Sequence, residues 1–121
     1  MTKEERKNKI YGEIIVDVHD EQEINESWYQ YFAENLAFPI NAVAKLKRRN
    51  GEWEEEEIQL IEVASEPDKD LTFGFIITMK GYVFSISLTQ IVSVDTSEEN
   101  LEMLNDWLFW KDLPLIENVE L

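Results

Sequence analysis

Apolar residues recur at positions 24, 28, 32 and 36, and no other feature of the chain constrains its fold as strongly. A four-residue repeat places Ile24, Trp28, Phe32 and Leu36 on one stripe of an α-helix. Both ends of that helix are marked. Asp20 stands where it should begin and can accept a hydrogen bond from the first-turn N–H groups, while Glu21 and Glu23 suit the positive end of the helix dipole. Pro39 sets the other limit, because the residue before a proline avoids helical dihedrals. A helix with a Trp and a Phe on one side needs a facing layer, which the rest of the chain has to supply.

Upstream, residues 1–17 read as a helix with charged first turns and an apolar second half, Ile10, Tyr11, Ile14, Ile15 and Val16. Gly12 weakens it by about 1 kcal/mol relative to Ala. A short break near Val18-His19 then leads into the capped helix. From Asn41 the period changes to two: Ala42, Ala44 and Leu46 alternate with Val43, Lys45 and Lys47, which predicts an edge-type strand to about Arg49. Asn50-Gly51 is a hairpin turn signal, and residues 53–63 return as a second strand. There Ile58 and Leu60 keep one phase and Ile61 and Val63 the other, which predicts a bulge. Residues 66–70 form a loop by composition. Residues 71–79 and 82–88 then make a hairpin across Lys80-Gly81, and residues 90–94 extend the sheet.

Ser97 can cap a third helix, with Glu98 and Glu99 in its first turn and Leu101, Leu104, Trp107 and Leu108 on its apolar stripe. The tail, 111–121, keeps Leu113, Leu115, Ile116, Val119 and Leu121, which is too apolar for a disordered end and leaves it to dock or to swap. The expected architecture over 1–121 is a single α+β domain. It has two N-terminal helices, a small, strongly bent, barrel-like antiparallel sheet of four or five strands, and one C-terminal helix.

Charge sets the choice of partners. The 26 acidic and 11 basic residues leave a net charge of −15, beyond the magnitude of roughly 2 to 8 that suits a small soluble domain. Phosphate backbones and anionic membrane surfaces are repelled, so neither direct nucleic-acid binding nor membrane association is expected. Cations and basic proteins are the natural partners, although an acidic surface also serves solubility alone. With no apolar run near 18 residues and no hydrophobic segment at the N-terminus, the expected location is cytoplasmic. The absence of cysteine removes disulfides, thiolate metal sites and a cysteine nucleophile. No glycine-rich phosphate loop, nucleophile elbow or paired hydroxyl and His is present, so an enzyme is not expected.

The carboxylates carry the chemistry. Glu13, Asp17, Asp20 and Glu21 lie three to four residues apart or closer, and would crowd if the chain stays helical or turns sharply between them. Two unit charges 4 Å apart interact by roughly 4 kcal/mol at an effective dielectric of 20, so such a cluster wants a cation or else splays into solvent. Oxygen-only shells suit calcium. No stretch fits the helix–loop–helix calcium pattern, and one His without Cys does not make a zinc site. Asp68 and Asp70, the run Glu54 to Glu57, and Asp95 with Glu98 and Glu99 are secondary candidates. A solvated acidic face with a single capping Asp is the alternative to a metal site.

Three segments in this order resemble a known family: Glu-Ile-Ile-Val-Asp-Val-His-Asp-Glu-Gln-Glu (13–23), Trp28-Tyr29-Gln30-Tyr31-Phe32 through Leu36-Ala37-Phe38-Pro39, and Asp106-Trp107-Leu108-Phe109-Trp110. Their order and spacing are similar to those of the small acidic calcium-binding proteins of the cyanobacterial CcbP type, from about Lys9 to Trp110. The resemblance implies a cytoplasmic domain that binds Ca2+ without the helix–loop–helix loop and serves as a buffer or sensor, not as an enzyme. It matches Asp17, Asp20 and Glu21 to acidic positions of the family and places Asp68 and Asp70 in an acidic loop between strands. Ser87-Leu88-Thr89-Gln90-Ile91 departs from a proline-containing version of that segment, and residues 113–121 do not match. The other reading is an acidic interaction module that contacts a basic protein.

Overall fold

Thr2 opens the first helix by accepting the Glu5 N–H at 3.1 Å, and the computed structural model describes residues 2–15, 20–64 and 74–118, with the side chain of Glu21 excepted. Helix α1 (Lys3–Lys9) gives way to a π-helical turn (Ile10–Ile14), closed by the Ile15 N–H on the Ile10 carbonyl at 3.0 Å. The single α-helix expected over 1–17 is therefore not formed. The wider turn has a packing reason: it brings Ile10, Ile14 and Ile15 together into the core, where an α-helical turn would rotate Ile15 by about 100° from Ile14. The expected break at Val18-His19 lies outside the described residues. Helix α2 (Glu21–Asn35) begins as the sequence indicates, with Asp20 Oδ1 accepting the Glu23 N–H at 2.8 Å. Trp28 and Phe32 are wholly buried, and the helix stops short of Pro39.

The strands are β1 (Ile40–Lys47), β2 (Trp53–Val63), β3 (Gly74–Met79), β4 (Tyr82–Ser87), β5 (Ile91–Asp95) and β6 (Glu117–Asn118). They form one sheet in the order β4-β3-β2-β1-β5-β6, antiparallel except for the parallel pair β5 and β6. The expected strongly bent, barrel-like closure does not occur: β4 and β6 are opposite edges of an open sheet. The tail explains this. Asn105 accepts the Ile116 N–H at 2.7 Å and donates to its carbonyl at 3.0 Å, while Asn118 makes the same paired contact with the backbone of Thr96 at 3.2 and 3.1 Å. The tail thus docks as a sixth strand on the side of β5 that a barrel would use for closure.

A second correction concerns β1, which lies between β2 and β5 and is not an edge. It keeps its lysines because only one sheet face is covered. Ile40, Ala42 and Ala44 face the core together with Ile58, Leu60, Phe75 and Ile77, whereas Lys45 stands on the exposed face opposite Glu55. The expected bulge is present: the register of β2 with β3 shifts between Leu60 and Glu62, so Leu60 and Val63 are both buried. The β3–β4 turn has positive φ at Lys80 (49°) and Gly81 (86°), the geometry of a two-residue primed turn that suits strand twist.

Helix α3 (Glu98–Trp110) is capped by Ser97, whose Oγ accepts the Asn100 N–H at 3.2 Å. Its Leu104 and Trp107 join Trp28, Phe32 and Phe75 in the core. Asn100 ties this helix to the end of α2 by accepting the Ala37 N–H and donating to the Ala37 carbonyl, both at 3.0 Å. Among the described residues no helix is long and apolar enough to cross a membrane.

Candidate metal-binding site

All three helices meet on one carboxylate. Asp106 of α3 is fully buried. Its Oδ1 accepts Arg6 Nη1 at 2.7 Å, and its Oδ2 accepts Lys9 Nζ at 2.7 Å and the Tyr31 hydroxyl at 3.0 Å. Arg6 reaches further to Glu102, with Nη2 on Oε2 at 2.7 Å and Nη1 on the backbone carbonyl at 3.1 Å. Two cations therefore balance two carboxylates. Sequence reading missed this network, although a signal was present: Arg6 precedes Ile10 by four residues on the same helical stripe, and Asp106 interrupts the apolar run of α3. A charge inside an apolar stripe is rarely buried without a partner.

Burial pushes the Tyr31 hydroxyl up to about 12, with the Asp106 charge adding to the shift and Lys9 opposing it. Burial pulls Lys9 down, but its hydrogen bonds and charge attraction to Asp106 and Tyr31 outweigh that, so its ammonium is held above the ordinary value. Both groups hold their protons more tightly in the folded state than in the unfolded chain, whose Tyr titrates near 10. The Tyr31 contribution to stability is therefore complete below about pH 10 and is lost as pH rises towards about 12, and the Lys9 contribution is lost in the same direction. Because Tyr31 is partly exposed, its share is on the order of 1 kcal/mol. Urea midpoints at about pH 9 and about pH 11.5 should fall less in Tyr31→Phe than in the parent; equal falls would remove Tyr31 from this linkage.

The same helices border a cleft of about 510 Å³ lined by Lys9, Glu13, Tyr31, Glu98, Glu99 and Glu102, among others. Arg6 and Lys9 are already balanced by Asp106 and Glu102, so Glu13, Glu98 and Glu99 bring three further negative charges to this cleft. Of the residues singled out in the sequence, Glu13 and the pair Glu98-Glu99 are thus brought together. Asp20 is not part of the lining; it caps α2. Asp95 lies elsewhere, in a groove of about 570 Å³ that crosses the exposed sheet face and also contains Glu57. Glu54 and Glu56 are held by Arg48, so half of the acidic run on β2 is a structural ion pair. Asp17, Asp68, Asp70 and the Glu21 side chain lie outside the described residues. The Ala64 N–H on the Gly74 carbonyl, at 2.9 Å, ties together the two ends of the segment that carries Asp68 and Asp70. Among the described residues, no three acidic side chains are grouped closely enough to hold a metal ion.

Known proteins share this architecture. The crystal structure of Anabaena CcbP matches with a TM-score of 0.80 and 28% identity, covering 96% of each chain. A calcium binding protein in its calcium-binding form matches with a TM-score of 0.72 and 28% identity, covering 93% of this chain and 94% of that one. No curated protein sequence matches the chain. The family model described as calcium binding, of the CcbP type, matches residues 8–111, from the end of α1 to the start of the tail, and on that match the chain belongs to the calcium-binding CcbP family.

Proposed function

We propose that this chain is a single-domain, cytoplasmic calcium-binding protein that acts as a buffer or sensor and performs no catalysis. The ligands in this reading are Glu13, Asp17, Asp20, Glu21, Asp68 and Asp70. One observation carries the calcium reading, the family match over 8–111; the six ligands are chosen within that range by the density and spacing of carboxylates. The chemistry agrees, since calcium takes six to eight oxygen ligands and tolerates mixed carboxylate and carbonyl shells. Asp20 suits a double role, because a carboxylate that caps a helix through one oxygen has a second to offer a hard cation. The remaining ligands come from segments flanking α2 and β3, whose described ends are anchored by the Asp20 cap and by the Ala64–Gly74 hydrogen bond.

Isothermal titration of chelator-stripped protein with calcium, against a magnesium background, tests the reading. Heat should saturate, and Asp17→Asn and Asp20→Asn should each weaken binding by about tenfold or more, since ligand charge tunes such sites over decades. Asn caps a helix about as well as Asp, so Asp20→Asn should keep its fold. Glu117→Gln, on β6, should change nothing. Absence of a saturable signal up to about millimolar calcium would reject calcium binding in the range of such sites. Unchanged affinity in both Asp variants would instead move the site to Asp68 and Asp70. The charge of −15 and the groove of Glu57 and Asp95 favour a second reading, an acidic surface for a basic protein. Such a contact would weaken with salt whether or not calcium is present.

A further inference from the structure

We propose that β4 is a self-association edge on which a second copy of this chain docks, strand against strand about a two-fold axis. Among the described residues the outer side of β4 pairs with no strand. Natural sheets guard such an edge with Lys, Pro, a bulge or a very short strand. The strand Tyr82–Ser87 has none of these: its six residues, YVFSIS, carry no charge in a chain that is 31% charged. Its pairing with β3 runs unbroken from Gly74 opposite Ser87 to Met79 opposite Tyr82. Tyr82 and Val83 are 71% and 63% exposed. The opposite edge differs, since β6 has only two residues and one is Glu117.

Charge identifies the occupant. A neutral strand offers nothing to draw a basic segment, and Glu56, the acid that shares a pocket with Phe84 and Ser85, is already paired with Arg48. Two such strands, however, can meet without bringing like charges face to face. A two-fold axis through an antiparallel pair keeps residues on their own sheet faces only when the paired numbers sum to an even value. Centred on Phe84, that rule sets Phe84 against its own copy and Tyr82 against the second copy's Ile86, on the sheet face that Ile86 shares with the core. Val83 then meets the second copy's Ser85 on the exposed side. Aromatic and aromatic–aliphatic cross-strand pairs of this kind stabilise antiparallel sheets. Six residues of edge bury less than the roughly 1,200 Å² of a standard interface, so the dimer is weak and reversible. Because each copy carries −15, association also requires screening.

Sedimentation equilibrium over about 10 μM to about 1 mM protein tests this, at about 0.01 M and about 0.15 M potassium chloride. The expected result is a monomer–dimer equilibrium at least about tenfold tighter at the higher salt. Val83→Lys and Ser85→Lys, both at exposed positions, should abolish the dimer while leaving circular dichroism and melting temperature unchanged. Val92→Lys on β5 should leave the dimer intact. A wild-type chain that stays monomeric over the whole range overturns the proposal. So does a dimer that survives both β4 substitutions, or one that Val92→Lys disrupts equally. Assemblies that grow beyond the dimer also overturn it, because a two-fold contact closes on itself.

Discussion

Asp106→Ala is expected to lower the unfolding free energy by about 3–5 kcal/mol, because removing one member of a buried ion network leaves the other charges uncompensated. The loss falls mainly on Arg6. The Lys9 side chain is 23% exposed and can turn its ammonium to water, whereas the Arg6 side chain is 7% exposed and would face Glu102 alone. The Tyr31 hydroxyl loses its acceptor at the same time. Asp106→Asn keeps an acceptor and removes the charge, so it should be intermediate. In a domain of this size the Ala variant should melt on the order of 10–20 °C below the parent. The double variant Arg6→Met/Asp106→Leu should recover most of that loss, since replacing a buried pair by apolar groups of similar volume is often close to neutral. Urea midpoints for the two single variants and the double variant complete the test. A loss below about 1 kcal/mol in Asp106→Ala would mean that water reaches Arg6 and that the network does not hold α1 to α3.

The network also shows where sequence reasoning ends. Helix α2 is legible because both of its ends are written locally, by Asp20 and by the approach to Pro39. The β2 bulge is legible because a phase slip between Leu60 and Ile61 has no other regular meaning. The central placement of β1 is not legible in the same way: alternation with Lys45 and Lys47 reports one exposed face, and an edge strand and a central strand of a one-sided sheet share that pattern. Openness of the sheet depends on the Asn105 amide gripping Ile116, a contact that no turn residue announces. The family resemblance was readable, and the match over 8–111 agrees with it; of the acids of 13–21, Asp20 is seen as the cap of α2. The cleft of Glu13, Glu98 and Glu99 was not readable, because those residues are far apart in sequence. They share a cleft through the packing of α1 and α3 around Arg6 and Asp106.

Calcium should raise the melting temperature of the stripped protein at micromolar to low-millimolar concentration, whereas potassium chloride should raise it only gradually over a range of about a hundred millimolar. With 26 acids against 11 bases the apo chain repels itself. A Debye length of about 30 Å at 0.01 M spans most of the molecule, and the roughly 10 Å at 0.1 M leaves mainly near neighbours interacting, so added salt of any kind relieves long-range repulsion. Site binding adds a separate contribution through linkage, about 2.7 kcal/mol at 100 times the dissociation constant. For a domain of this size that corresponds to a shift on the order of 10 °C. The two contributions separate by variant as well as by concentration. Asp17→Asn changes the net charge by only one unit in fifteen, so its response to potassium chloride should be nearly that of the parent, while its response to calcium should be blunted. Glu98→Gln makes the same change in charge at the helical cleft and should leave the calcium response intact if the ligands are those of 13–21 and 68–70. A calcium shift no larger than that from potassium chloride at matched ionic strength would mean diffuse screening, and the acidic surface would then be a contact for a basic protein and not a calcium site.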